Sequence, residues 1–129
     1  MRFLPSAIAA LILSAAPAFA EFTISFDWGD IPLCTTGRPG KVDNPRFVIK
    51  DLPEGTTRIV FRLKDLDVPS YNHGGGKVTV NADGVIEPGA FRYKSPCPPG
   101  GSHTYEWTAK AQAGSKTLAT AKARRDYPN

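Results

Sequence analysis

Apolar and polar residues alternate with period two along most of the chain. "FTISFDW" puts Phe22, Ile24, Phe26 and Trp28 on one face and Thr23, Ser25 and Asp27 on the other, the mark of a half-buried strand. "GDIPLCTTGRPGKVDNP" carries three prolines and three glycines and reads as a long loop. "RFVIKDL" is a short strand, and "PEGT" turns the chain into "TRIVFRLKDLD", where Ile59, Phe61 and Leu63 share a face. "KVTVNADGVI" reads as two short strands joined at "NADG". "HTYEWTAKAQA" places Tyr105, Trp107, Ala109 and Ala111 on one side and Thr104, Glu106, Thr108 and Lys110 on the other. The final "TLATAKARR" fits either the return strand of a hairpin or an Ala-rich helix; the short "AGSK" turn before it favours the hairpin. No stretch shows a long apolar stripe at helical spacing. The pattern predicts a mainly β fold, an antiparallel sandwich or rolled sheet with little helix.

The first twenty residues stand outside this pattern. Arg2, an apolar run from Ala7 to Leu13 and the Ala18-Phe19-Ala20 end read as a secretory signal peptide, residues 1–20. The apolar run is too short for a membrane span, so no integral membrane segment is expected after cleavage. Residues 21–129 then form one domain, periplasmic or secreted. In an oxidising compartment, the two cysteines, Cys34 and Cys97, are expected to form one disulfide.

The formal net charge of +4 is too weak, and too dispersed, to argue for a nucleic acid partner. The C-terminal Lys110, Lys116, Lys122, Arg124 and Arg125 read as a solvated face or as edge-strand cations that discourage aggregation.

Strand parity singles out a group of polar residues. Asp65 and Asp67 share the parity of Ile59, Phe61 and Leu63, so a core-facing side ends in carboxylates. His103 shares the parity of Tyr105 and Trp107, so another core-facing side begins with an imidazole. A buried carboxylate needs a partner. Two buried faces that end in polar groups beside Gly/Pro loops suggest a pocket at the end of the core, where glycine-rich backbone can bind anions. Asp67 also fits a turn cap before Pro69. His73 fits an exposed loop residue, and His103 fits a core residue with satisfied hydrogen bonds.

"DLDVPSYNHG" resembles the D-P-D-x-P … H-W signature of the phosphatidylethanolamine-binding protein family, which includes bacterial Raf kinase inhibitor-like proteins. "SPCPPGGSHTYEW" resembles its G-x-x-P-P-x-G-x-H-R-Y segment, and "CTTGRPGKVDNPRFVIKDLPEGT" its upstream N-x-P … P-x-G-T stretch. The resemblance runs from about Cys34 to Lys110, with both motifs in the family's order. It implies a β-rich fold with a pocket for phosphate or phospholipid head groups, lined by Asp65, His73 and His103 and shaped by Tyr105 and the backbone around Pro98 and Gly100. It also implies a role in modulating a protein partner. No cofactor, no metal and no enzymatic activity are expected. The chain departs from the signature at Leu66, Gly74 and Thr104, where the family has Pro, Trp and Arg; these positions bear on the pocket wall and the ligand more than on the fold.

A carboxylate in an anion site has two resolutions. Asp65 pairs with a histidine and keeps it a cationic donor, or Asp65 meets the ammonium of an ethanolamine head group while the histidines take the phosphate. The competing readings are a metal site or a hydrolytic site using His73, His103 and Asp65. Ser70, Ser95 and Ser102 lie near in sequence, but Ser102 and His103 are neighbours on a strand and point to opposite faces.

Overall fold

The structure, a computed structural model, describes residues 20–129; residues 1–19 of the expected signal peptide lie outside the described residues. Nine strands make up the fold, with no helix among the described residues: β1 (Thr23–Asp27), β2 (Lys41–Asp43), β3 (Arg46–Lys50), β4 (Arg58–Asp65), β5 (Gly75–Thr79), β6 (Gly84–Ile86), β7 (Arg92–Lys94), β8 (His103–Ala113) and β9 (Lys116–Tyr127). Every pairing is antiparallel. The larger sheet has the order β5-β4-β8-β9, a second has β1-β3-β6, and β2 pairs with β7.

The alternation seen in the sequence builds two facing layers. Ile59, Phe61 and Leu63 of β4 and Tyr105, Trp107 and Ala109 of β8 are buried against Phe26, Phe47 and Ile49 of β1 and β3. Phe47 stacks on Phe61 with centroids 4.4 Å apart and meets Trp107 edge-on at 5.3 Å. Each buried aromatic removes a large apolar area from water, so this cluster dominates the stability of the fold. The layers are joined at the far edge, where Trp28 Nε1 donates to the Asp126 carbonyl at 2.9 Å and Arg125 Nε donates to the Phe26 carbonyl.

The C-terminal segment is the strand of a hairpin. Ala119, Ala121 and Ala123 of β9 face the interior, and small side chains suit a position opposite Ala109 and Ala111. Two details depart from the pattern reading. The long loop contains β2, which pairs with β7, a strand the alternation does not reveal; three residues with one apolar side chain each, Val42 and Tyr93, carry too little periodicity. The two strands joined at "NADG" belong to different sheets, β5 to β4 and β6 to β3, so that turn is a crossover between layers and not a hairpin.

Gly75 is required where β5 meets β4. A Cβ there would overlap the Phe61 carbonyl group. Because the obstacle is backbone, it cannot swing aside. Gly75→Ala is expected to lower stability by about 2 kcal/mol by parting β5 from β4, measured by urea unfolding; an unchanged midpoint would contradict the pairing.

Candidate functional site

Asp65 is the last residue of β4, and its inward parity leaves it only 4% exposed. Its carboxylate is fully engaged. Oδ1 accepts the backbone N–H groups of Asp67 at 2.9 Å and Val68 at 3.2 Å, which turns the chain out of the strand. Oδ2 accepts Nδ1–H of His103 at 2.7 Å. Burial works to raise the Asp65 pKa, but the His103 hydrogen bond, the Asp67 N–H, the imidazole charge and the Val68 N–H together hold it below the ordinary carboxylate value.

Asp67 has a different task. Its Oδ2 accepts the Thr104 N–H at 2.8 Å, while the Leu66 N–H donates to the Thr104 carbonyl at 2.8 Å. These bonds bring the first turn after β4 against the start of β8, so the two acidic residues place His103 between them.

His73 is 2% exposed and lies between β4 and β5 in sequence. Its ring nitrogen Nδ1 is 2.7 Å from the Lys94 carbonyl. A carbonyl can only accept, so Nδ1 carries the proton and Nε2 is the remaining, unprotonated nitrogen. Desolvation, the largest influence, lowers the His73 pKa below its ordinary value, so this imidazole stays neutral near pH 7. Tyr105 stands between the two imidazoles, 5.5 Å edge-on from His73 and 6.3 Å from His103 in near-parallel stacking. Burial first, and the Asp65 charge after it, push the Tyr105 hydroxyl up, so it remains a neutral hydrogen-bonding group.

Asp65, His73, His103 and Tyr105 line one cavity of about 210 Å³. The remaining wall comes from loops. Val68 and Tyr71 form one side, Gly37 and Pro39 another, and Cys97 and Pro99 the third. Cys34 and Cys97 are joined in a disulfide with Cα atoms 5.4 Å apart, and this bridge draws the Gly37–Pro39 segment to the cavity. Pro98 is half-buried and Gly100 is exposed in the same loop, but their neighbours Cys97 and Pro99 supply the lining. Tyr71, Gly37 and Pro39 are absent from the sequence reading of the site. The expected Cys34–Cys97 bridge was the available clue to the last two, since it puts their loop beside the Pro-rich one.

The chemistry on offer is therefore asymmetric. His103 is anchored through Nδ1 to a carboxylate, which leaves Nε2 as the nitrogen that can meet a ligand. His73 is anchored through Nδ1 to a carbonyl and presents an acceptor. Ligand atoms of Asp65, Asp67 and His103 also lie within 4.8 Å of one another, a spacing that a metal ion could use. His73 is not in that group, and both Asp65 oxygens and Asp67 Oδ2 already accept N–H groups, so an ion there would compete with the bonds that shape the site.

No family model and no curated protein sequence matches the chain. A crystal structure does: a protein from Chlamydia trachomatis D/UW-3/CX described as a phosphatidylethanolamine-binding protein (PEBP) homolog matches with a TM-score of 0.62 at 18% identity, covering 84% of this chain and 98% of that one. The chain thus has the mainly β, antiparallel fold of that PEBP homolog, the fold that its "DLDVPSYNHG" and "SPCPPGGSHTYEW" segments led us to expect.

Proposed function

We propose that this protein is an exported binding protein that takes a small anion or phosphorylated head group in the His73–His103 cavity. The observation that carries the reading is the opposite anchoring of the two histidines around one cavity: His103 Nδ1 on the Asp65 carboxylate, His73 Nδ1 on the Lys94 carbonyl. Nε2 of His103 would meet an anionic oxygen, and Nε2 of His73 would accept from a ligand O–H or ammonium. A volume of about 210 Å³ suits a head group and not a whole lipid. Asp65 already holds His103, which supports pairing with a histidine as the role of the carboxylate, with the ethanolamine ammonium meeting His73.

The Raf kinase inhibitor-like resemblance extends the reading to a protein partner that senses whether the cavity is filled. The disulfide supports export, because such bridges persist in oxidising compartments. A binding role is favoured over hydrolysis by the serines: Ser102 donates its hydroxyl to the Pro128 carbonyl at 2.8 Å, Ser95 Oγ accepts the Gly40 N–H, and no hydroxyl of Ser70, Ser95 or Ser102 is hydrogen-bonded to either histidine.

Sulfate is the cleanest probe, because its charge is constant across the histidine range. Donation from His103 Nε2 to a sulfate oxygen would be a charge-assisted hydrogen bond. Such a bond is worth about 1.5 kcal/mol or more, so its removal should weaken sulfate binding at least tenfold. Calorimetric titration should show sulfate binding by the wild type and that loss of affinity in His103→Ala. Equal sulfate affinity in the two proteins would overturn the mechanism. Stoichiometric zinc binding that is lost in His103→Ala would replace it with the metal reading.

A further inference from the structure

The outer face of the larger sheet has a charge distribution that the cavity does not explain. The register puts Arg62 and Lys64 of β4, Lys77 of β5, Lys110 of β8 and Lys122 and Arg124 of β9 on the side facing away from the core. Lys122 and Arg124 flank Glu106, at 3.9 and 2.7 Å. Among the described residues, Arg62, Lys64, Lys77 and Lys110 have no carboxylate partner. Edge protection does not account for Arg62, Lys64 and Lys110, because β4 and β8 are the interior strands of this sheet. The cations are concentrated on one face of a chain whose whole formal charge is +4.

The same face carries a depression of about 480 Å³ where the 69–72 loop stands against Arg62, Lys64 and Lys110. Tyr71 of that loop borders both this depression and the histidine cavity. Tyr71 and Val68 are among the large hydrophobic residues left exposed, at 36% and 41%.

We propose that this basic sheet face docks on an anionic lipid surface, with Tyr71 and Val68 resting in the head-group layer. Charge complementarity identifies the occupant as polyanionic, and three features select lipid. The face is built of strands, with no helix among the described residues to enter a nucleic acid groove. The aromatic residues of its strands, Phe61, Tyr105, Trp107 and Tyr127, pack into the core, which leaves the single ring of Tyr71 at its border and no row of rings on which successive bases could stack. The disulfide belongs to an oxidising compartment, where membranes are the abundant anionic surfaces. An amphipathic aromatic at the edge of a basic face suits the boundary between head groups and acyl chains. This docking is independent of whether the histidine cavity binds an anion.

The test is co-sedimentation of the mature chain with vesicles of phosphatidylcholine alone or with phosphatidylglycerol added. Binding should require phosphatidylglycerol and be lost at high salt. Each basic residue at an anionic surface contributes a factor of about five. The triple variant Arg62→Gln, Lys64→Gln, Lys110→Gln should therefore bind about a hundredfold more weakly, with an unchanged melting temperature because all three side chains are exposed. His103→Ala should bind vesicles as the wild type does, which separates this surface from the cavity. Equal binding to neutral vesicles, no binding to either kind, or an unchanged triple variant would overturn the proposal. So would capture by a DNA duplex in preference to the anionic vesicles.

Discussion

Asp65→Ala is expected to lower stability by about 3 kcal/mol, the range seen when one partner of a buried charged pair is removed. The side chain is 4% exposed and accepts three N–H groups, from His103, Asp67 and Val68. Truncation strands all three donors at the end of β4, and the first turn after the strand loses its closure. Asp65→Asn separates shape from charge. The amide oxygen can still accept from Asp67 and Val68, so most of the stability should return. Its NH₂ group, however, faces His103 Nδ1, which must then become the acceptor. The imidazole proton is expected to move to Nε2, a change that ¹⁵N shifts of the ring report directly. If the His103 tautomer is the same in wild type and Asp65→Asn, the Asp65–His103 hydrogen bond is wrongly assigned.

Acid adds a second readout. The Asp65 pKa is lower folded than unfolded, so its contribution is complete above the unfolded value of 3.8 and is lost as pH falls through the folded value. The gap in stability between wild type and Asp65→Asn should therefore close below about pH 4. His73 acts earlier. Its folded pKa is also depressed, so its contribution is complete above the unfolded value of 6.5 and declines as pH falls below it. Mild acid should thus erode both proteins through His73 before the Asp65 difference disappears, and Asp65→Asn the more, because the Asp65 charge works to raise the His73 pKa.

Which of these residues could be foreseen follows from how the backbone repeats. In a strand, side chains alternate strictly, so the inward placement of Asp65 could be read from Ile59, Phe61 and Leu63 on the same parity, and that of His103 from Tyr105 and Trp107. Parity stops where the strand stops. It gives Asp67 the same face as Asp65, but the chain has turned by then, and Asp67 reaches the Thr104 N–H instead. In the Pro-rich loop no repeat exists, and the sequence cannot tell Pro98 from Pro99; the structure lines the cavity with the second. Gly37 and Pro39 lie sixty or more residues before Pro99, and the covalent bridge brings them together, with the Ser95–Gly40 hydrogen bonds and the β2–β7 pairing beside it. The basic sheet face was hidden for a related reason. Its cations are scattered along four strands, and the register that gathers them is a long-range property. Read along the chain, Lys110, Lys122 and Arg124 look like ordinary surface charge.

Removing the bridge, by Cys34→Ser with Cys97→Ser, is expected to lower stability even more than Asp65→Ala does. The two residues are 63 apart, and a loop of that length restricts the unfolded chain by about 4 kcal/mol. For a domain of this size that corresponds to a fall in melting temperature of roughly 15–25 °C. The bridge joins two segments that contribute little regular structure of their own, the 29–40 loop and the Pro-rich run before β8, which are otherwise linked by the Ser95–Gly40 hydrogen bonds and the adjoining β2–β7 pairing. The loss should also reach the cavity. Gly37 and Pro39 sit between the bridge at Cys34 and the Gly40–Ser95 hydrogen bonds, so freeing Cys34 should loosen this wall, and sulfate affinity should fall in the double serine variant even where the domain is still folded. Reducing agent added to the wild type should reproduce both effects. A double variant that melts within a few degrees of wild type, yet loses sulfate binding, would mean that the bridge serves to shape the cavity and contributes little to stability. The reverse result would place the Gly37–Pro39 wall outside the binding site.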